Sequence, residues 1–105
     1  MLAYCADVTA DVFRALDDET RRLVLDVLAE RDGRSLFEIC TVLALQHGIG
    51  SSRQAISQHL AVLEEAGLVT TERQGRTKLH HFDRTPLAAI AERWAATPTD
   101  PEDTP

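Results

Sequence analysis

The chain has 105 residues, 44% of them hydrophobic and 27% charged, enough for one domain that buries roughly 65% of its unfolded surface without covalent staples. No apolar run approaches the ~20 residues that span a bilayer, and the first ten residues lack the basic start and long apolar centre of a secretion signal, so the expected compartment is the cytoplasm. Cys5 and Cys40 stand far apart with no Cys-x-x-Cys pair, which argues against a disulfide framework or a Cys-based structural zinc site.

Residues 1–8 read as a short N-terminal arm. Thr9 is placed to cap a first short helix, Ala10 to Leu16, with Val12, Phe13 and Leu16 on one apolar stripe. Asp17 or Asp18 caps a second helix from Glu19 to about Arg31, whose Leu23, Val24, Val27 and Leu28 face a core, and Asp32-Gly33 ends it. Ser35-Leu36-Phe37-Glu38 has the spacing of a capping box and opens a third helix with Leu36, Ile39, Cys40 and Leu43 inward. That helix stops between Leu45 and His47, before the turn Gly48-Ile49-Gly50-Ser51.

The next stretch, Ser52 to Ala66, is the most informative one. Ser52 is an N-cap, Gly67 a stop, and Ile56, Leu60 and Leu63 share one stripe with Ala55 and Ala66 at its margin. The opposite face presents Arg53, Gln54, Ser57, Gln58 and Ala61, with no acid until Glu64 and Glu65. A merely solvated helix would carry Glu and Lys at i,i+4 instead. Arg pairs bidentately with guanine, Gln with adenine, Ser with either, and Ala touches a thymine methyl, so this face has the chemistry of base reading. His59 borders the core stripe, where it either packs or reaches a phosphate. A helix, a glycine-bearing turn and a second helix of this kind form a helix-turn-helix pattern.

After Gly67 the period changes to that of strands. Leu68 to Arg73 and Arg76 to Phe82 read as antiparallel partners joined by a tight turn at Gln74-Gly75. Arg73, Arg76 and Lys78 flank the turn, so the hairpin is placed to meet a phosphate backbone or minor groove as a wing. Asp83 and Thr85-Pro86 then start a last helix, whose Leu87, Ile90, Ala91 and Trp94 form an apolar stripe. Such a stripe either covers its own core or joins two copies of the chain. Residues 97–105 contain three prolines and three acids and are expected to be a disordered acidic tail, leaving 9–96 as the domain. The fold class is therefore mostly α with a small β-hairpin, a winged helix-turn-helix of order α-α-α-α-β-β-α.

A net charge of -6 looks wrong for a DNA binder, whose affinity rests largely on neutralising phosphates. The charge is unevenly distributed, however. From Ser51 to Arg84 there are five basic and four acidic residues, against six basic and thirteen acidic ones elsewhere. The acid sits away from the base-reading helix and wing.

Three blocks together resemble the ArsR family of winged-helix repressors: Phe13-Arg14-Ala15-Leu16-Asp17-Asp18-Glu19-Thr20-Arg21-Arg22, Ala55-Ile56-Ser57-Gln58-His59-Leu60 continuing to Leu63-Glu64-Glu65-Ala66-Gly67-Leu68-Val69, and Gly75-Arg76. The resemblance covers about Val8 to Ala96. It implies a homodimer joined through the first and last helices (Val12, Phe13, Leu16, Leu87, Ile90, Ala91 and Trp94), with the two recognition helices in successive major grooves of double-stranded operator DNA and the wings alongside. The implied DNA-contacting residues are Ser52, Arg53, Gln54, Ser57, Gln58, His59, Arg73, Arg76 and Lys78, and the implied activity is repression of transcription. Family metal sensors often carry a Cys-x-Cys in the third helix, matched here by Ser35 and Phe37, or Asp and His on the last helix, where this chain has no histidine. The chain thus resembles the branch that senses no metal, and no cofactor is implied. The segment from Cys40 to Ser51 is about six residues longer than the family's usual turn.

Two rival readings differ in class. A metal-responsive repressor would need Cys5, Cys40, His47, His80 or His81 to converge, although adjacent histidines on a strand face opposite sides. A winged helix that binds another protein and not DNA is compatible with the overall acidity. An enzyme is not: there is no glycine-rich phosphate loop, nucleophile motif or paired-acid arrangement. A small-molecule effector of unidentified chemistry fits the regulator, and no membrane partner is expected.

Overall fold

Short polar side chains start three of the helices, and the apolar positions that follow decide which way each one faces. The computed structural model describes residues 11–94, so the arm (1–8), the Thr9 cap, Ala10 and the acidic tail (97–105) lie outside the described residues. Within them the order is α1 (helical over 11–16), α2 (Glu19–Glu30), α3 (Leu36–His47), α4 (Arg53–Glu65), β1 (Val69–Gln74), β2 (Thr77–Phe82) and α5 (Thr85–Arg93). This is the expected winged helix-turn-helix order.

Asp18 caps α2, its carboxylate accepting from the Arg21 N–H at 3.1 Å. Ser35 and Glu38 form the reciprocal capping box of α3, and Ser52 caps α4 by accepting from the Ala55 N–H at 3.1 Å. At the far end of α4, Gly67 adopts φ +80, which lets its own N–H reach Glu64 O and the Leu68 N–H reach Leu63 O. Those two bonds are a Schellman stop, and they turn the chain sharply into β1.

The core gathers Val12 and Ala15 of α1, Val24, Leu25, Val27 and Leu28 of α2, Ile39 and Leu43 of α3, and Ile56, Leu60 and Leu63 of α4, closed by Ala66, Leu68 and Val69. Two inward assignments shift. Leu25 is buried although the expected core-facing set leaves it out, because α2 packs against α3, α4 and β2 at once and needs a wider apolar arc, while Leu23 is only partly buried. Val12 is 1% exposed and belongs to the protomer's own core.

The hairpin is antiparallel with Val69 opposite Phe82 and Gln74 opposite Thr77, so the turn is Gly75-Arg76, one residue later than the pattern suggests. Gly75 has φ +64 and Arg76 does not have positive φ, which fits a type II′ turn with glycine first. An isolated bridge pairs Arg34 with His80, and the backbone bonds His80 N to Arg34 O (2.8 Å) and Arg34 N to His80 O (3.2 Å) attach the root of β2 to the turn before α3. α5 starts at Thr85, with Asp83 accepting from the Thr85 N–H and Pro86 in the first turn, and carries no fully buried residue.

Candidate nucleic-acid interface

The inner stripe of α4 is fixed by Ile56, Leu60 and Leu63, so its outer face has only one orientation. Ser52, Arg53, Gln54, Ser57, Gln58 and Ala61 are all exposed on it. α4 carries no acid in its first turn, so no side chain of that turn neutralises the partial positive charge of its free amides.

The wing lies alongside. Ser57 of α4 and Arg76, Thr77 and Lys78 of the wing line one cleft of about 400 Å³, floored by Leu36, Leu60 and His80 and bordered by Ser35 and Phe37. In β1 and β2, Arg73 stands directly opposite Lys78, both exposed. Two like charges in cross-strand register destabilise a hairpin by a few tenths of a kcal/mol to about 1 kcal/mol. With Arg76 at the tip they concentrate three cations on a projection with no carboxylate paired to them among the described ion pairs. Arg53 sits elsewhere, its guanidinium 5.8 Å from the centre of the Phe37 ring. Phe37, 64% exposed beside this surface, escapes the sequence reading because it lies within the apolar run that opens α3.

His59 is half-buried and turned towards α2. Arg21 donates to its Nδ1 at 3.2 Å, and the same guanidinium donates to Ala15 O (2.8 Å) and Arg14 O (3.2 Å) at the end of α1. A guanidinium only donates, so His59 Nδ1 accepts and the neutral ring carries its proton on Nε2. Arg21, 38 residues away in sequence, is thus a support of the α4 surface that helical periodicity does not reveal.

The two adjacent histidines of β2 point to opposite sides. His80 donates from Nδ1 to Arg34 O at 3.1 Å and is 5% exposed; burial holds its pKa below the ordinary imidazole value. His81 stands between carboxylates and is held above it. Cys40 is half-buried, and burial pushes its thiol up, away from thiolate reactivity. Among the described residues no three His, Cys, Asp or Glu side chains converge as a metal-ligand set. Nor is any described helix long and apolar enough to cross a membrane.

Of the residues expected at a dimer interface, Phe13 (48% exposed) and Trp94 (62%) are open, Ala91 is exposed, and Leu16, Leu87 and Ile90 are partly buried.

A helix-turn-helix domain family matches residues 8–72. A solved ArsR-like transcriptional regulator from Rhodococcus sp. RHA1 is 35% identical and superposes with a TM-score of 0.66 over 85% of this chain and 80% of that one. The chain belongs to the ArsR family of winged helix-turn-helix transcriptional regulators. This ArsR-family protein is also 43% identical to the uncharacterised HTH-type transcriptional regulator YuzN of Bacillus subtilis, over 79% of its own length and 90% of YuzN. It is 35% identical to the arsenical resistance operon repressor of Escherichia coli over 62% of its own length, and there the match spans only 50% of the relative.

Proposed function

We propose that this ArsR-family regulator binds operator DNA as a homodimer and represses the transcription that the operator governs. In this reading Arg53, Gln54, Ser57 and Gln58 enter the major groove with Ser52 at its edge, His59 offers Nε2–H towards a phosphate, and Arg73, Arg76 and Lys78 lie on the backbone or in the minor groove. The observation that supports it is the cleft that Ser57 shares with Arg76 and Lys78, so that the outer face of α4 and the cationic wing border one concave surface. Phe13, Leu16, Leu87, Ile90, Ala91 and Trp94 join the two protomers, with Leu16, Leu87 and Ile90 resting on their own core on one side and the exposed Phe13, Ala91 and Trp94 turned to the second copy. Val12 supports this surface from inside the core.

The test is duplex binding by the full chain across a salt series, on fragments recovered by genome-wide mapping of bound sites. A dimer that contacts several phosphates loses about 0.9 log units of affinity per log unit of salt for each contact. A flat salt response would remove this reading and leave binding to another protein as the role of the fold. For repression, a reporter promoter overlapping a recovered site should fall silent when the protein is supplied and stay active with the Gln58→Ala variant.

A further inference from the structure

One contact set connects the wing to the body of the domain through the side chains of His81 and Asp32. His81 of β2 places Nδ1 2.7 Å from Asp32 Oδ2, in the turn after α2, and Nε2 2.8 Å from Glu72 Oε1, on β1. The other oxygen of Asp32 accepts the Phe82 backbone N–H at 2.8 Å. An ionised carboxylate has no proton to donate, so both ring nitrogens must be N–H and the ring must be an imidazolium. Gly33 leaves the room this requires, since a Cβ there would stand 3.3 Å from His81 Cε1.

We propose that His81, gripped by Asp32 and Glu72, is the positioning residue that sets the wing against the domain, and that wing-dependent DNA affinity is lost as His81 gives up its proton. This rests on the reading that the wing meets DNA. Removing the proton leaves one nitrogen as a lone pair facing a carboxylate, so one of the two contacts turns repulsive and the ring no longer links Asp32 to Glu72, while the Asp32 Oδ1 bond to the Phe82 N–H persists. The backbone bridge from Arg34 to His80, one residue nearer the tip than His81, remains as well, so the wing stays folded and attached and loses only the side-chain restraint on its setting.

The charged surroundings favour the imidazolium. Asp32 and Glu72 raise the pKa of His81 through their hydrogen bonds and charges, against a smaller opposing effect of burial. Partial burial pushes the Asp32 carboxyl up, but the Phe82 N–H, the His81 ring and the Arg84 charge outweigh it and hold it below the usual carboxylate range. Lys78 and His80 share β2 but point to its other side, where both line the cleft with Ser57. Because folding raises the pKa, the contact is fully made below the free imidazole value of about 6.5 and is lost as pH climbs through the higher folded value.

The experiment measures binding of the full chain to a mixed-sequence duplex at one low salt concentration, between about pH 6 and about pH 9. The wild type should lose about fivefold more affinity over that interval than His81→Gln does, a coupling at the low end of those known between sites. His81→Arg, a permanent cation that bonds both carboxylates, should keep the acid-side affinity and flatten this part of the profile. Glu72→Gln, on the exposed outer strand, gives the same test should His81→Gln fail to fold, and the His81 ring resonance should titrate above about 6.5. An unchanged pH profile in a folded His81→Gln or Glu72→Gln protein, or a His81 midpoint at or below that value, overturns the proposal. The triple variant Arg73→Ala, Arg76→Ala, Lys78→Ala separates the two ideas. If it binds as tightly as the wild type, the wing reading itself fails. If it weakens binding while His81→Gln follows the wild type at every pH, only the positioning role fails.

Discussion

α3 and α4 begin alike and present opposite chemistry to solvent. Each is capped by a serine whose hydroxyl accepts from the third backbone amide along, Glu38 for Ser35 and Ala55 for Ser52. In α3 the residue at that third position is Glu38, whose carboxylate returns to the Ser35 N–H at 3.0 Å and sets an anion on the positive end of the helix. In α4 the same position is Ala55, no acid stands in the first turn, and the outer face begins with Arg53 and Gln54. The first helix satisfies its own terminus, and the second leaves its terminus open to an anion from outside. Identical capping thus separates the requirement for folding from the choice of what the helix end is offered to.

Five substitutions probe that difference, the largest effect first. On the inner faces the two helices should behave alike: Leu43→Ala in α3 and Leu63→Ala in α4, both within 1% of full burial, should each cost about 2–5 kcal/mol of stability in denaturant unfolding. A much smaller loss at Leu63 would mean that α4 is not anchored as described. On the outer face of α4, Gln58→Ala should leave stability unchanged and weaken a specific duplex by about 1–3 kcal/mol, with little effect on random DNA. Equal loss on both duplexes would remove base reading from this residue. Ser35→Ala should cost about 1 kcal/mol of stability without changing DNA affinity, since the α3 terminus is already closed by Glu38. Smallest in expected magnitude and most diagnostic is Gln54→Glu, which gives the first turn of α4 an acid, as α3 has. Thermal unfolding should show a gain of about 0.3–1 kcal/mol from the helix dipole, while anisotropy titration shows weaker DNA binding. Should DNA affinity stay put, the open terminus of α4 has no part in contacting the duplex.

Much of this was readable from residue order because the signals are local. The Ser35-x-x-Glu38 box, the Ser52 cap, the Gly67 stop and the Ile56/Leu60/Leu63 stripe each lie within a few turns of helix, and each stands in the structure where spacing puts it. What the order hides is decided by partners distant in sequence. The hairpin turn shifts by one residue because Gln74-Gly75 and Gly75-Arg76 are both acceptable turn pairs, and only the register against Phe82 selects between them. Leu25 is drawn inside by a third packing neighbour, and Val12 by the core beneath α1. Within the candidate interface, the exposure of Arg53, Gln54, Ser57 and Gln58 follows from periodicity, whereas the supports behind it do not. Arg21 meets His59 across 38 residues, and Asp32 meets His81 across 49. No pattern within one helix or strand joins such pairs.

Among the described residues β1 has a neighbour on one side only, since the Arg34 bridge extends the sheet beyond β2. Along its outer margin the amide and carbonyl groups of a six-residue strand face water, an invitation for a strand from another molecule to add on. What discourages such addition is the pair of opposite charges in the middle of that strand, Glu72 and Arg73, which any incoming strand would have to accommodate. Replacing both with threonine would leave Val-Thr-Thr-Thr-Thr-Gln, an uncharged β-forming run at that sheet margin, and would make the chain more prone to aggregate.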